Sequence, residues 1–165
     1  MQVSAAVGAV ASLLAVDLGL KSGLAAFDGD GRLSWYRSQH FASKEQLRRA
    51  AWTIVSQLDD LAFVVVEGDA RLGEVWAKAA AKRGARCLVV TPEAWRRRLL
   101  LSREQRSGTL AKRHAEDLAR AVIEWSGAKR PTSLRHDVAE AIAIGLWGVL
   151  EVGWLEEVPA VLRRG

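Results

Sequence analysis

Two acidic side chains stand where apolar segments of the chain end. Asp17 directly follows the apolar run at residues 12–16, and Glu67 follows the β-branched run at residues 62–66. Short runs of this kind are typical of buried strands. A carboxylate at the carboxyl end of a central strand lies at the rim of the sheet, where α/β proteins form their sites. Asp17 and Glu67 are therefore candidate site residues.

A second pair of acids lies in a predicted helix at about residues 134–152. Asp137 and Glu140 are three residues apart, so their carboxylates face the same way. Acids in a first helical turn also stabilise the helix dipole, which explains each of them singly. The helix dipole does not explain why the chain also has two acids at strand ends. His136 directly precedes the pair and is a further candidate.

Four carboxylates brought together would repel one another and raise their own pKa values. A divalent cation removes this repulsion, and hard oxygen ligands select Mg²⁺ or Mn²⁺ over zinc. Two such ions about 4 Å apart stabilise the attacking and leaving oxygens in phosphodiester hydrolysis. The residue types thus predict a site for two Mg²⁺ ions, with Mn²⁺ as a substitute. The predicted ligands are Asp17, Glu67, Asp137 and Glu140.

The elements that must position these acids follow in a readable order. Apolar runs predict five strands, at residues 12–16, 23–27, 32–38, 62–66 and 86–90. The sequence Asp28-Gly29-Asp30-Gly31 predicts a hairpin turn between the second and third strands. Helical periodicity predicts helices at residues 44–58, 72–83, 93–101, 109–125 and about 134–152. This order predicts an α/β protein of RNase H-like fold, in which helices flank a five-stranded mixed sheet of order 3-2-1-4-5.

Tryptophan is frequent in the chain, with seven in 165 residues. Five fall at apolar positions of predicted helices, where packing in the core is the expectation. These five are Trp52, Trp76, Trp95, Trp125 and Trp147.

The acidic motifs resemble those of the RuvC family of Holliday-junction resolvases, within the RNase H-like superfamily. The matching pieces are residues 15–19 with Gly23, the strand that ends at Glu67, and residues 137–143. The resemblance spans about residues 13–150, and Glu140 stands where the family more usually has Asp. It implies a crossover junction endodeoxyribonuclease that resolves four-way DNA junctions by paired symmetric nicks. A homodimer is implied as well, with a branch-migration helicase as a further partner.

Two segments between the acids, residues 91–96 and 108–112, also resemble the family. By this resemblance Lys112 lies near the scissile phosphate as an electrostatic stabiliser, and His136 acts as a ligand or proton carrier. Alternatively, Lys112 is a solvated helix residue and His136 is a surface residue. Arg71 or Leu72 follows Glu67, in the region where the family carries a junction wedge. The predicted DNA contacts are Lys112, Arg113, Arg96, Arg97, Arg103, Arg106 and Arg71.

Length and composition set the broader limits. A chain of 165 residues, half of them hydrophobic, favours one domain, here with a short extension at residues 1–11. The net charge of +5 and the pI of 9.9 suit an anionic partner such as nucleic acid. Cys87 is the single cysteine, which excludes a disulfide framework and a cysteine zinc module. No stretch is long and apolar enough to span a membrane. We expect a cytoplasmic, nucleoid-associated protein, or an organellar one for a processed form.

Three alternatives stay open on the sequence. Another RNase H-like nuclease would act on RNA or RNA–DNA, for example in processing ribosomal RNA, although Glu67 argues against that class. A nucleic-acid-binding module without cleavage would lack at least one acid, yet all four are present. An actin-like nucleotide-binding fragment shares the spacing of Asp17, Gly19 and Gly23 but requires a second domain of comparable size.

Overall fold

A single mixed sheet organises the chain. The computed structural model describes residues 11–163. Its strands are β1 (Ser12–Asp17), β2 (Lys21–Asp28), β3 (Leu33–His40), β4 (Leu61–Glu67) and β5 (Arg86–Val89). The spatial order is β3-β2-β1-β4-β5, with β2 antiparallel to β1 and β3, and β4 parallel to β1 and β5. The predicted strand order is therefore confirmed.

The predicted hairpin turn joins β2 to β3. Its glycine Gly31 has a φ of 84°, in the left-handed region that a residue with Cβ rarely adopts. The backbone N–H of Gly31 donates to the Asp28 carbonyl at 2.9 Å. The N–H of Arg32 donates to the carboxylates of Asp28 and Asp30. The acidic side chains thus close the turn, as Asp does in loops of this type.

Five α-helices and two short 3₁₀ helices cover the sheet within the described residues. The α-helices are α1 (Lys44–Gln57), α2 (Ala70–Lys82), α3 (Pro92–Leu99), α4 (Gly108–Ser126) and α5 (His136–Glu151). Hydroxyl groups of Ser43, Thr91 and Ser107 cap the N-termini of α1, α3 and α4. The 3₁₀ helices span Ser102–Gln105 and Ala160–Leu162.

Alternate residues of the strands face two separate halves of the core. Leu13 and Ala15 of β1 point to the side that α4 and α5 cover, whereas Leu14 and Val16 point to the side that α1 and α2 cover. Side chains of a strand alternate between the two faces, so a central strand covered on both sides is apolar throughout. Asp17 continues the Leu13–Ala15 alternation and therefore lies on the face covered by α5.

The structure differs from the sequence predictions in a few places. Helix α2 begins at Ala70, two residues before the predicted start, because the Asp69 carboxylate accepts from the backbone N–H of Arg71 and caps the helix. Helix α5 begins at His136 rather than near Leu134. The expectation that Trp52 packs in the core is wrong: it is 43% exposed, beside the buried Ala51. The predicted extension at residues 1–11 lies, except for Ala11, outside the described residues.

The other four helical tryptophans do pack in the core. Trp76 and Trp95 are fully buried, and Trp125 and Trp147 are partly buried against the core. Within residues 11–163 no helix has the length and apolar character needed to cross a membrane.

Candidate metal centre

One row of residues crosses four strands at the edge where β1 and β4 end. Asp17 of β1 pairs with Gly23 of β2 and, on its other side, with Glu67 of β4. Gly23 in turn pairs with Ser38 of β3. Paired residues point to the same face of a sheet. The row thus places two carboxylates, a hydroxyl and a glycine side by side under the first turn of α5.

Gly23 sets how closely α5 approaches the sheet. A Cβ at this position would lie 1.9 Å from the Asp137 carbonyl oxygen and 2.8 Å from the Val138 nitrogen. Any side chain here would push the first turn of α5 away from β2. The space above Gly23 is therefore filled by this helix.

The close approach of α5 brings three carboxylates together. Ligand atoms of Asp17, Glu67 and Glu140 all lie within 4.8 Å of one another. Glu67 is only 7% exposed, and the Glu140 side chain is 12% exposed. The residues come from β1, β4 and α5, so the tertiary fold assembles a cluster that no short segment contains.

The acids change one another's ionisation. Burial, together with the charges of Glu140 and Glu67, raises the pKa of Asp17 to about 8. Burial and Glu140 also raise the pKa of Glu67, although its hydrogen bond with Asp17 lowers it. A hydrogen bond between two carboxyl groups requires that one of them be protonated. The cluster therefore resists full ionisation unless positive charge is supplied.

Two basic side chains contact one oxygen of Glu140. His136 Nε2 lies 3.1 Å from Glu140 Oε1, and a terminal nitrogen of Arg96 lies 3.7 Å from the same atom. Arg96 extends from α3, which the Thr91 cap and Pro92 begin, and its charge lowers the pKa of Glu67. The Arg96 side chain is 24% exposed, and its Nε is buried without a hydrogen-bond partner among the described residues. Arg96 thus supplies part of the missing positive charge.

Asp137 lies beside the cluster of three. One of its oxygens accepts from the Ser38 hydroxyl at 2.6 Å, and the other accepts from the backbone N–H of Val138 at 3.0 Å. Its charge contributes to the raised pKa of Asp17, so it is near that carboxyl. Asp137 is not among the three residues whose ligand atoms lie within 4.8 Å of one another.

Most of the predicted DNA-contacting residues lie on the surface. Lys112 and Arg113 are exposed in the first turns of α4, and within residues 11–163 no hydrogen bond or ion pair joins Lys112 to the three carboxylates. Arg71 is exposed and pairs weakly with Asp69 at 3.6 Å. The exposed arginines near α3 and the following 3₁₀ helix are Arg97, Arg103 and Arg106. Arg96 differs from these because it turns toward Glu140.

Three structural features, two of them in the site, had no clear sequence signal. Ser38 is one serine of a polar strand, and only the β2–β3 register brings it to Asp137. Arg96 belongs to a run of three arginines that gave no reason to single it out. The third is a buried pair: His114 Nδ1 lies 2.8 Å from the carboxylate of Glu104, a residue that is 4% exposed. This pair joins the 3₁₀ helix before α4 to α4 itself.

The sheet order, the helices on both faces and the acids at the strand ends define the RNase H-like fold. Among solved structures, this chain is similar to T. thermophilus RuvC, which was determined in complex with a Holliday junction substrate. The TM-score is 0.60 and the identity 17%, over 87% of this chain and 96% of that chain. The likeness establishes a RuvC-like fold.

A second solved structure is much less similar to this chain. The catalytic core domain of BIV integrase aligns over 86% of this chain and 82% of its own, with 10% identity and a TM-score of 0.33. No protein-family model matches the sequence. No curated protein matches it either.

Proposed function

We propose that this chain is an endonuclease that depends on a divalent cation and hydrolyses DNA phosphodiesters. The observation that carries the proposal is the cluster of Asp17, Glu67 and Glu140, whose ligand atoms lie within 4.8 Å of one another. Three crowded, poorly solvated carboxylates are costly unless a cation neutralises them. A set of oxygen ligands alone fits Mg²⁺ or Mn²⁺ better than zinc. The three carboxylates therefore fit the predicted Mg²⁺ or Mn²⁺ ion.

Each residue of the cluster has a distinct task in this proposal. Asp17 and Glu67 hold the cation from the rigid ends of two paired strands, and Glu140 closes the site from α5. Bound divalent cations supply positive charge that stabilises the attacking and leaving oxygens of the phosphodiester. His136 contacts one oxygen of Glu140 and keeps this longer side chain in place, whereas Arg96 supplies a positive charge that a bound cation would replace. Asp17 gives up its proton when the site fills.

The second predicted cation depends on Asp137. Its oxygens are engaged by Ser38 and by the N–H of Val138. These bonds orient the carboxylate beside Asp17, and each oxygen still has lone-pair capacity for a cation. We propose that Asp137 contributes to a second site next to the first. Ser38 then acts as its positioning residue.

Branched DNA is the substrate that we propose. T. thermophilus RuvC has the same fold and was solved with a Holliday junction. The net charge of +5 and the exposed arginines around α3 and α4 suit a polyanion with two phosphate backbones. Resolution of a four-way junction needs two nicks, so we propose a homodimer with two symmetric sites.

A labelled synthetic four-way junction tests this function. Linear duplex and an RNA–DNA hybrid serve as controls, with Mg²⁺, Mn²⁺ or EDTA. We expect paired symmetric nicks on the junction, which are lost with EDTA and with Asp17→Asn. Asp59→Asn, the same chemical change at an exposed turn residue, is the matched control and should leave the nicks unchanged.

Other results would replace the proposal. Cleavage of the hybrid alone would keep the cation chemistry and change the substrate. Tight junction binding without cleavage in any cation would mean a binding module. Sedimentation of the protein with and without the junction tests the homodimer.

A further inference from the structure

A basic groove lies between α1 and α2, on the face of the sheet opposite to α5. Five basic side chains line it, together with the exposed Trp52 and one acid, Glu74. The basic residues are Lys44, Arg48, Arg71, Lys78 and Lys82. All five are exposed to solvent. We call this surface the α1–α2 groove.

The groove begins at the same rim of the sheet as the carboxylate cluster. Helix α2 starts at Ala70, three residues after Glu67. Helix α1 starts just after β3, whose last residue His40 pairs with Lys21 beside the β1–β2 loop. Both helices therefore run away from the rim side by side. The Lys82 ammonium at the end of α2 lies 5.7 Å from the centre of the Trp52 ring on α1.

We propose that the α1–α2 groove binds the sugar–phosphate backbone of a nucleic-acid strand that continues from the carboxylate site, with Trp52 stacking on an unpaired base. The inference rests on the proposed function and extends it to a second contact surface. The basic residues on α2 span eleven positions, or about 16 Å at 1.5 Å per residue. Phosphates of one strand of a duplex are about 3.4 Å apart along the helix axis, so this length spans about five of them.

The charges and the shape of the groove favour a nucleic-acid strand over other occupants. Two basic residues have acidic neighbours, Arg71 with Asp69 and Lys78 with Glu74. Exposed pairs of this kind are weak and leave the groove strongly positive. A second copy of the chain, bound through the same surface, would bring like charges together. The groove has a volume of about 320 Å³, at the lower limit of pockets that enclose a small molecule. This size fits a strand that crosses the surface better than an enclosed small molecule.

Trp52 gives the groove a second mode of contact. It is 43% exposed, although tryptophan is costly to leave in water. Aromatic side chains beside a positive track are how proteins bind unpaired bases without sequence preference. The Lys82 ammonium over the ring contributes a cation–π contact that holds the ring in the groove.

Salt-dependent binding of fluorescent DNA tests the proposal. The probe is a duplex with a single-stranded oligo-dT tail of about 15 nucleotides, bound in EDTA so that it is not cut. The groove variant is R48Q/K78Q/K82Q. The matched control is R49Q/R86Q/K129Q, which removes three exposed charges outside the groove. Thermal unfolding of all variants checks that they are folded.

We expect the two variants to differ although their net charge is the same. The slope of log Kobs against log salt should fall by about two for the groove variant, at about 0.7 per phosphate of a single strand. Its affinity should be at least tenfold lower than wild type at about 50 mM salt. The slope of the control variant should differ from the wild-type slope by much less than one unit. Equal losses in both variants, or none in either, would overturn the proposal.

Trp52 is tested separately. Trp52→Ala should weaken binding of the tailed duplex about fivefold or more without changing the salt slope, and Trp52→Phe should restore most of it. Neither substitution should change the affinity for a blunt duplex. Equal competition by poly-glutamate and by oligo-dT would show that any polyanion binds, and a dimer that dissociates in the groove variant would show an interface between copies. Either result overturns the proposal.

The outcomes separate this proposal from the proposed function. A protein that cuts junctions normally but shows no groove effect refutes only the groove. A protein that never cuts DNA but loses binding selectively in the groove variant refutes only the nuclease.

Discussion

The raised pKa of Asp17 predicts a stability that falls as the pH rises, and a cation that reverses the fall. Below about pH 4 this carboxyl is protonated in both the folded and the unfolded chain. Between its ordinary value of 3.8 and the folded value of about 8, it ionises readily only in the unfolded chain. The folded state therefore loses stability across this range, and the loss is complete above pH 8.

The size of the effect follows from the same numbers. A difference from 3.8 to about 8 corresponds to roughly 6 kcal/mol of lost stability over the whole range, at about 1.4 kcal/mol per pH unit. For a chain of this length each kcal/mol moves the Tm by about 2–4 °C. We expect the wild-type Tm in EDTA to fall about 10 °C further than that of Asp17→Asn between pH 5 and pH 9. Asparagine keeps the shape of the side chain and cannot ionise.

Differential scanning calorimetry in EDTA and in Mg²⁺ makes this measurement. At about pH 8, Mg²⁺ should raise the Tm of the wild type and leave that of Asp17→Asn nearly unchanged. Asp59→Asn controls for the change in net charge and should follow the wild type. Parallel Tm curves for the wild type and Asp17→Asn across the pH range would show that ionisation of Asp17 does not destabilise the folded state.

Three further predictions concern the neighbours of the cluster. Gly23→Ala should reduce cleavage at least about 100-fold, because its Cβ would displace the first turn of α5. Gly108→Ala places its Cβ in open space and should be neutral in thermal unfolding. Arg96→Gln should lower the Tm in EDTA and raise Mn²⁺ affinity several-fold by calorimetric titration, since a fixed charge near Glu140 is lost; an unchanged Mn²⁺ affinity would contradict this. Glu104→Ala should cost about 2–4 kcal/mol in urea unfolding, because it removes the buried carboxylate that contacts His114 and accepts from the Leu101 N–H. The exposed Glu124→Ala should cost under about 1 kcal/mol.

The strand-end acids were accessible from the sequence because their positions follow from local pattern. A buried strand is recognised by its apolar run, and the residue after it lies at the rim. The alternation of side chains then puts Asp17 and Glu67 on one face once β1 and β4 are neighbours. The spacing of Asp137 and Glu140 likewise follows from helical geometry.

The rest of the site depends on distances that local pattern does not contain. Arg96 reaches Glu140 from another helix, and nothing in a run of three arginines shows which one turns inward. The bond from Ser38 to Asp137 requires the register of an edge strand. Trp52 lies at an apolar helical position, but the orientation of α1 over the sheet leaves it at the edge of the buried face.

Calorimetric titration of Mn²⁺ into the wild type, Asp17→Asn and Asp59→Asn at about pH 8 tests whether Asp17, Glu67 and Glu140 together form a divalent-cation site. We expect binding by the wild type and by Asp59→Asn, with release of protons, and at least tenfold weaker binding by Asp17→Asn. Equal Mn²⁺ affinity in all three proteins would mean that these three carboxylates do not hold the cation.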